Sequence, residues 1–267
     1  MNFYKNYWRK SSVAIIVVMA FWLTFNFGYY VRWTEAVIGY EFTDWGRLIF
    51  RESSKVIFVF LVTLPIAKII GGGSVFTLLG IDKNPFPGFF RAIISVLPMF
   101  IGYAALFSFS TDFNLYGFFS GSFFPGLTEE LIYRSFFFGI FFYQLKVGFI
   151  PSILIVSAVF GYMHFSQSDV LLDSFFIFMI TALGSALFAW LYVEWGRDLW
   201  VPIFLHMLMN LAWGIFDTGT ETALGGWGLN LFRVITIVTV IYLTVRKIKR
   251  TEDFLIGRLW KWAPSRI

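Results

Sequence analysis

Predominantly apolar runs, each roughly 20 residues long, recur from 12–31 to 229–245 and leave this chain little choice of environment. A helix of that length crosses a hydrocarbon core of about 30 Å, whereas barrel strands would read as about 10 residues of strict alternation. Composition agrees, with 58% hydrophobic and 14% charged residues and a mean hydropathy of +0.73, against about 25% charged in soluble domains. The expectation is an all-α polytopic membrane protein, a single integral membrane domain over 1–267. It has about eight transmembrane helices: 12–31, 55–70, 91–109, 125–142, 149–165, 172–193, 199–216 and 229–245. Pro98 is expected to kink the third, and Ala182, Gly184, Ser185, Ala186 and Ala189 to allow close contact along the sixth. The segment 32–54 reads as polar, with a short surface helix, and 74–88 as an amphipathic connector.

Lys5, Arg9 and Lys10 ahead of the first run imitate a signal peptide, but the run is too long and lacks a small-residue cleavage site, so it reads as a spanning helix. The excess of 21 Lys and Arg over 16 Asp and Glu reads as cytoplasmic loops, with no basic stripe interleaved with aromatics. Membrane lipid, not nucleic acid, is the partner this implies. Most of the basic residues fall on one side of an eight-helix topology, while Arg32, Arg47, Arg51 and Lys55 fall on the other. Both termini are therefore expected on the cytoplasmic side of a bacterial-type plasma membrane. The absence of cysteine excludes disulfides, thiolate metal sites and a cysteine nucleophile.

Within the apolar run 123–142 stands Thr128-Glu129-Glu130-Leu131-Ile132-Tyr133-Arg134. Each charge at membrane depth costs a few kcal/mol, about 2.5–3.5 on insertion scales, so three in six residues point to function. Glu130 and Arg134 are i,i+4 neighbours in the favourable orientation and read as a structural pair. Glu129 lies about 100° round the helix and reads as the chemical group. A helix start at Pro125-Gly126 would put both glutamates near the positive end of the helix dipole.

The sequence has two histidines, His164 and His206, and both lie in apolar runs. Counted along their helices, Glu129, His164, His206 and Asn210 all fall in the same outward third of the membrane. His206 and Asn210 share a face, and Phe160 precedes His164 by one turn, placed to pack under its imidazole. A carboxylate, two imidazoles and a carboxamide converging on one point can activate water and stabilise an oxyanion. Glu129, His164 and His206 are equally the donor types that ligate a divalent metal such as zinc. No nucleophile elbow, H-E-x-x-H motif or phosphate-binding Gly-rich loop is present, and the Ser and Thr residues have no base at fixed spacing.

Glu129-Glu130-x-x-x-Arg134, Phe160-x-x-x-His164 and His206-x-x-x-Asn210, in that order on three helices, resemble the three motifs of the CAAX-protease and bacteriocin-processing (CPBP, or Abi) family of intramembrane proteases. The resemblance is carried by about residues 120–215. It implies an intramembrane endopeptidase in which Glu129, with His164, activates the attacking water, His206 and Asn210 stabilise the oxyanion, and Glu130 and Arg134 hold the helix. The substrate it implies is a peptide or membrane protein, and it leaves the cofactor open between a divalent metal and none. Two other classes compete: a non-catalytic scaffold or bacteriocin-immunity-type peptide binder of the same fold, and a proton-coupled transporter. The lack of paired broken helices in two related halves counts against the transporter.

Overall fold

The computed structural model describes residues 10–20, 27–70, 73–220 and 222–251. Helices dominate the described residues, which contain no β-sheet, only one isolated antiparallel bridge between Phe109 and Phe216. Among the described residues the first helix is α1 (Lys10–Ala20). The chain continues with α2 (Phe27–Ile38), α3 (Asp44–Ile70), α4 (Val75–Leu79), α5 (Pro85–Leu106) and the short α6 (Leu115–Phe118). A π-wound helix then runs through Phe119–Phe123, Pro125–Phe138 and Ile140–Gln144, followed by α7 (Phe149–Met163), α8 (Leu171–Glu194), α9 (Trp200–Ile215) and α10 (Trp227–Thr251).

All eight apolar runs carry helix among the described residues. Five helices are long and apolar enough to cross a membrane: Asp44–Ile70, Pro85–Leu106, Phe149–Gln167, Leu171–Glu194 and Trp227–Thr251. That count covers the described residues alone and leaves aside the π-wound helix and the shorter apolar helices Lys10–Ala20 and Trp200–Ile215. At about 1.5 Å per residue the 16-residue α9 reaches only about 24 Å. Part of the first expected span, and the tail after Thr251, lie outside the described residues. The expected surface helix over 32–54 is also corrected, because α3 begins at Asp44 and carries the charged residues Arg47, Arg51, Glu52 and Lys55 within it.

Local chemistry sets several boundaries. Asn84 caps α5 by accepting from the Phe86 N–H, with Pro85 at the first helical position, so this helix starts earlier than its apolar pattern. Ser74 caps α4, and Gly80 ends it in the left-handed region at φ 70°. The largest correction concerns the fourth helix. It starts at Leu115, capped by Asn114, and Pro125 sits inside it at the opening of the second π-wound stretch. Its i→i+5 pattern is visible where Phe124 N–H donates to Phe119 O and Gly139 N–H to Arg134 O. Glu129 and Glu130 therefore lie in mid-helix, away from any dipole end.

This π-wound helix is the axis of the largest core cluster. Leu131, Ile132, Phe136, Phe137, Phe138 and Ile140 are buried on it, against Val59 and Ile66 of α3, Tyr192 of α8 and Ile203 of α9. π-helix rarely persists beyond a single turn, so tertiary contacts must hold it. Ser135 Oγ–H donates to Leu79 O at 2.5 Å, and Gly126 lies against Met207 so closely that a Cβ there would stand 2.9 Å from the Met207 Cα. On α7, Gly161 gives the same close approach to Phe178 and Ala182 of α8. Gly184, expected at such a contact, faces open space instead.

The bundle has two unlike ends. At one, Lys83 donates to Gly196 O, Arg91 pairs with Asp198 at 3.4 Å, Arg197 donates to Leu78 O and Lys247 to Glu194 O. At the other, Ser110 N–H donates to Ile215 O, Asp217 N–H to Ser108 O and Ala223 N–H to Gln167 Oε1. His164 and Asn210 belong to this second, less basic end, in line with the common depth read from the sequence.

Candidate active site

Glu130, 0% exposed, is the hub of the site. Its Oε2 lies 3.0 Å from Arg134 Nε, confirming the expected i,i+4 pair. The N–H of that nitrogen does not align for a hydrogen bond, so the contact is an ion pair in close register. Its other oxygen, Oε1, accepts from His206 Nδ1 at 2.7 Å. Glu130 is thus more than the helix-holding partner expected from sequence, because it also orients an imidazole on α9. A carboxylate at this distance fixes the proton on Nδ1 and turns Nε2 toward the remaining carboxylate.

That carboxylate is Glu129. Its Oε2 stands 4.0 Å from His206 Nε2, too far for a direct hydrogen bond. The side chain is 26% exposed, yet Oε2 itself is buried and has no hydrogen-bond partner among the described residues. Buried carboxylate oxygens nearly always have partners, so this one is available to a ligand or reactant.

His164 caps the end of α7, and its Nδ1 lies 2.8 Å from Phe160 O. A carbonyl can only accept, so Nδ1 carries the hydrogen and neutral His164 keeps a bare Nε2. The Phe160 ring lies under the imidazole as expected, with centroids 4.6 Å apart. Its ring also covers the Arg134 guanidinium at 4.3 Å, and Phe188 of α8 covers the same group at 5.4 Å while packing 5.7 Å from His206. Phe160 therefore links His164 to the Arg134–Glu130–His206 line. Arg134 is 1% exposed, and aromatic faces compensate the donors that its one carboxylate leaves over.

Asn210, one turn beyond His206, donates from Nδ2 to Gly121 O at 3.0 Å. The amide has a second N–H, which this bond leaves over. The contact joins α9 to the start of the π-wound helix on the side of the less basic end.

Sequence reasoning missed Glu52 and Phe188. Glu52, beside Arg51 and Lys55, reads as a solvated charge cluster, but its carboxylate is buried and accepts from Thr128 Oγ–H at 2.8 Å. Phe188 is one of 36 phenylalanines and carries no distinguishing sequence signal. A cleft of about 360 Å³ lies between α2 and α3, with Tyr30, Phe50, Arg51 and Leu61 among its walls.

Glu129, His164 and His206 are the donor types that a divalent metal takes. Among the described residues no group of three or more His, Cys, Asp or Glu side chains is placed to hold a metal ion. His206 and His164 each commit only Nδ1, to Glu130 and to a backbone carbonyl, which leaves both Nε2 atoms free, so the donor types suit a metal and it is their placement that does not.

Residues 111–212 match the family described as "Type II CAAX prenyl endopeptidase Rce1-like". Over those residues, less than half of the chain, the sequence is similar to that family. The matched segment spans the π-wound helix, α7, α8 and most of α9, the elements that carry every residue of the polar line. The chain is also 39% identical over 84 residues to the protein named "Putative membrane peptidase YdiL" of Bacillus subtilis (strain 168). That alignment covers 32% of this chain and 30% of the relative. No solved structure gives a significant match.

Proposed function

We propose that this protein is an intramembrane endopeptidase that hydrolyses a peptide bond of a membrane-associated protein or peptide. The observation that carries the reading is the partnerless, buried Glu129 Oε2 facing His206 Nε2 at 4.0 Å. Glu129 accepts the proton of a water whose oxygen bonds to the scissile carbonyl carbon, and the bare Nε2 of His164 helps to orient that water. The carbonyl electron pair moves onto oxygen. The second N–H of Asn210, and His206 carrying on Nε2 a proton taken from solvent and returned to it when the intermediate collapses, stabilise the oxyanion that forms. As the C–N bond breaks, the proton held by Glu129 passes to the leaving amine. Glu130 and Arg134 take no proton in this scheme and fix the tautomer and position of His206. The peptide enters from the less basic end of the bundle, with both termini of the protein on the cytoplasmic side.

The test is cleavage in proteoliposomes of single-span reporter proteins, leader-type peptides and prenylated C-terminal peptides. Glu129→Gln keeps size and hydrogen bonding but not basicity, and is expected to lose about 10²–10⁴ in rate at unchanged folded yield. Unchanged cleavage by Glu129→Gln would overturn the mechanism, and a wild type that binds these peptides but cleaves none would favour the non-catalytic binder.

A further inference from the structure

We propose that Glu52 of α3 is a positioning residue for the Glu129 carboxylate, acting through Thr128; this inference rests on the endopeptidase reading above. Glu52 is 2% exposed and four donor contacts converge on its carboxylate. Arg51 Nε donates to Oε1 at 2.7 Å, Lys55 Nζ reaches both oxygens at 2.9 Å, and Thr128 Oγ–H donates to Oε2 at 2.8 Å. Arg51 and Lys55 come from the same helix as Glu52. Their charges alone would let the trio sit at the protein surface, where carboxylate, ammonium and guanidinium stay hydrated. Instead the carboxylate turns inward, at a desolvation cost, to the residue adjoining Glu129.

What that bond contributes follows from the winding of the helix that receives it. Thr128 has one hydroxyl hydrogen and two acceptors in reach, Glu52 Oε2 and Phe124 O at 2.9 Å. The bond to Phe124 stays within its own helix and says nothing about where that helix stands. The bond to Glu52 ties this turn to α3. The i→i+5 winding is uncommon beyond one turn, so the azimuth of each residue on it depends on outside anchors more than in an α-helix. Glu52 at Thr128, Met207 against Gly126 and Leu79 at Ser135 are anchors on three sides of the stretch carrying Glu129 and Glu130. Of these, only Glu52 grips the residue adjoining Glu129. Its loss lets that turn rotate, and Glu129 Oε2 then leaves its place opposite His206 Nε2.

Thr128→Val is the cleanest variant. It conserves shape, removes only the hydroxyl, and leaves Glu52 its contacts with Arg51 and Lys55. Its expected effect is a fall in kcat of about 10-fold to 10²-fold with KM near wild type, since small displacements of a reacting group act on the chemical step. Thr128→Ser restores the donor and is expected to recover most of the rate. With only His164 and His206 to label, ¹⁵N-histidine spectra report the site without a substrate. The His206 Nε2 signal should move in Thr128→Val and return in Thr128→Ser. Should Thr128→Val not fold, Glu52→Gln, of equal volume, is read the same way and is expected to lower kcat and move the same signal. Wild-type kcat with an unmoved His206 signal, in whichever variant folds, would overturn the proposal, as would a lowered Tm with full activity per folded molecule. Glu129→Gln is run alongside: if it is active, the endopeptidase mechanism falls, whereas if it is inactive while Thr128→Val equals wild type, only the role of Glu52 falls.

Discussion

Replacing Gly126 by alanine tests the packing that holds the site together. The backbone at Gly126 is helical with no positive φ, and in a helix an alanine normally stabilises by roughly 0.5–1 kcal/mol relative to glycine. Here the added methyl would stand 2.8 Å from Met207 Cβ and 2.9 Å from its Cα and N, where ordinary contact begins near 3.4 Å. Two of those atoms are backbone and cannot rotate away. The π-wound helix and α9 must therefore part by about 0.5 Å, at an overpacking cost of about 1–3 kcal/mol. Met207 adjoins His206, and Gly126 lies one turn before Glu130, so the parting falls on the 2.7 Å bond between those two side chains. Lengthened by that amount it reaches the outer limit of a good hydrogen bond, about 3.2 Å. The variant is expected to lose several degrees of Tm in detergent and about 10-fold or more in cleavage rate per folded molecule, with a shifted His206 Nδ1 signal. A Gly126→Ala protein with raised Tm and full activity would refute the close-contact argument, since that is what helix propensity alone would give.

Arg134→Ala leaves the Glu130 carboxylate without its cation at 0% exposure, and loss of one partner of a buried pair typically costs about 3–5 kcal/mol. A sharp fall in folded yield and Tm is expected, measured by size-exclusion chromatography and thermal unfolding in detergent. Asn210→Ala should cost about 10²–10³ in kcat with little loss of Tm, because its protein partner is a single carbonyl, Gly121 O. Chelator treatment of the reconstituted protein should leave cleavage unchanged, because Glu129, His164 and His206 do not form a metal-holding set; a rate lost on chelation and restored by zinc would contradict this.

How much of this was legible beforehand depends on the range of the interactions. Membrane residence, helical class and the order of the apolar runs follow from hydropathy, which is a sum over neighbours in the chain. So does the Glu130–Arg134 pair, since a spacing of four brings side chains together on almost any helix. The shared face of His206 and Asn210 on α9 was readable in the same way, whereas the depth of Glu129 had been counted from a helix start that the structure moves to Leu115. The start of the fourth helix was misread because Pro125-Gly126 carries a strong local start signal. In the folded protein Asn114 caps the chain earlier, and Gly126 serves Met207 of α9 instead. The i→i+5 winding has no local signature, because it is stabilised by anchors that arrive from α3, α4 and α9. The same holds for the second bond of Glu130, to His206, and for the tautomer it sets, since 76 residues separate the partners. Glu52 shows the limit most plainly. Between Arg51 and Lys55 it has the local pattern of a hydrated charge cluster, and only the packing of α3 against the π-wound helix turns its carboxylate inward to Thr128.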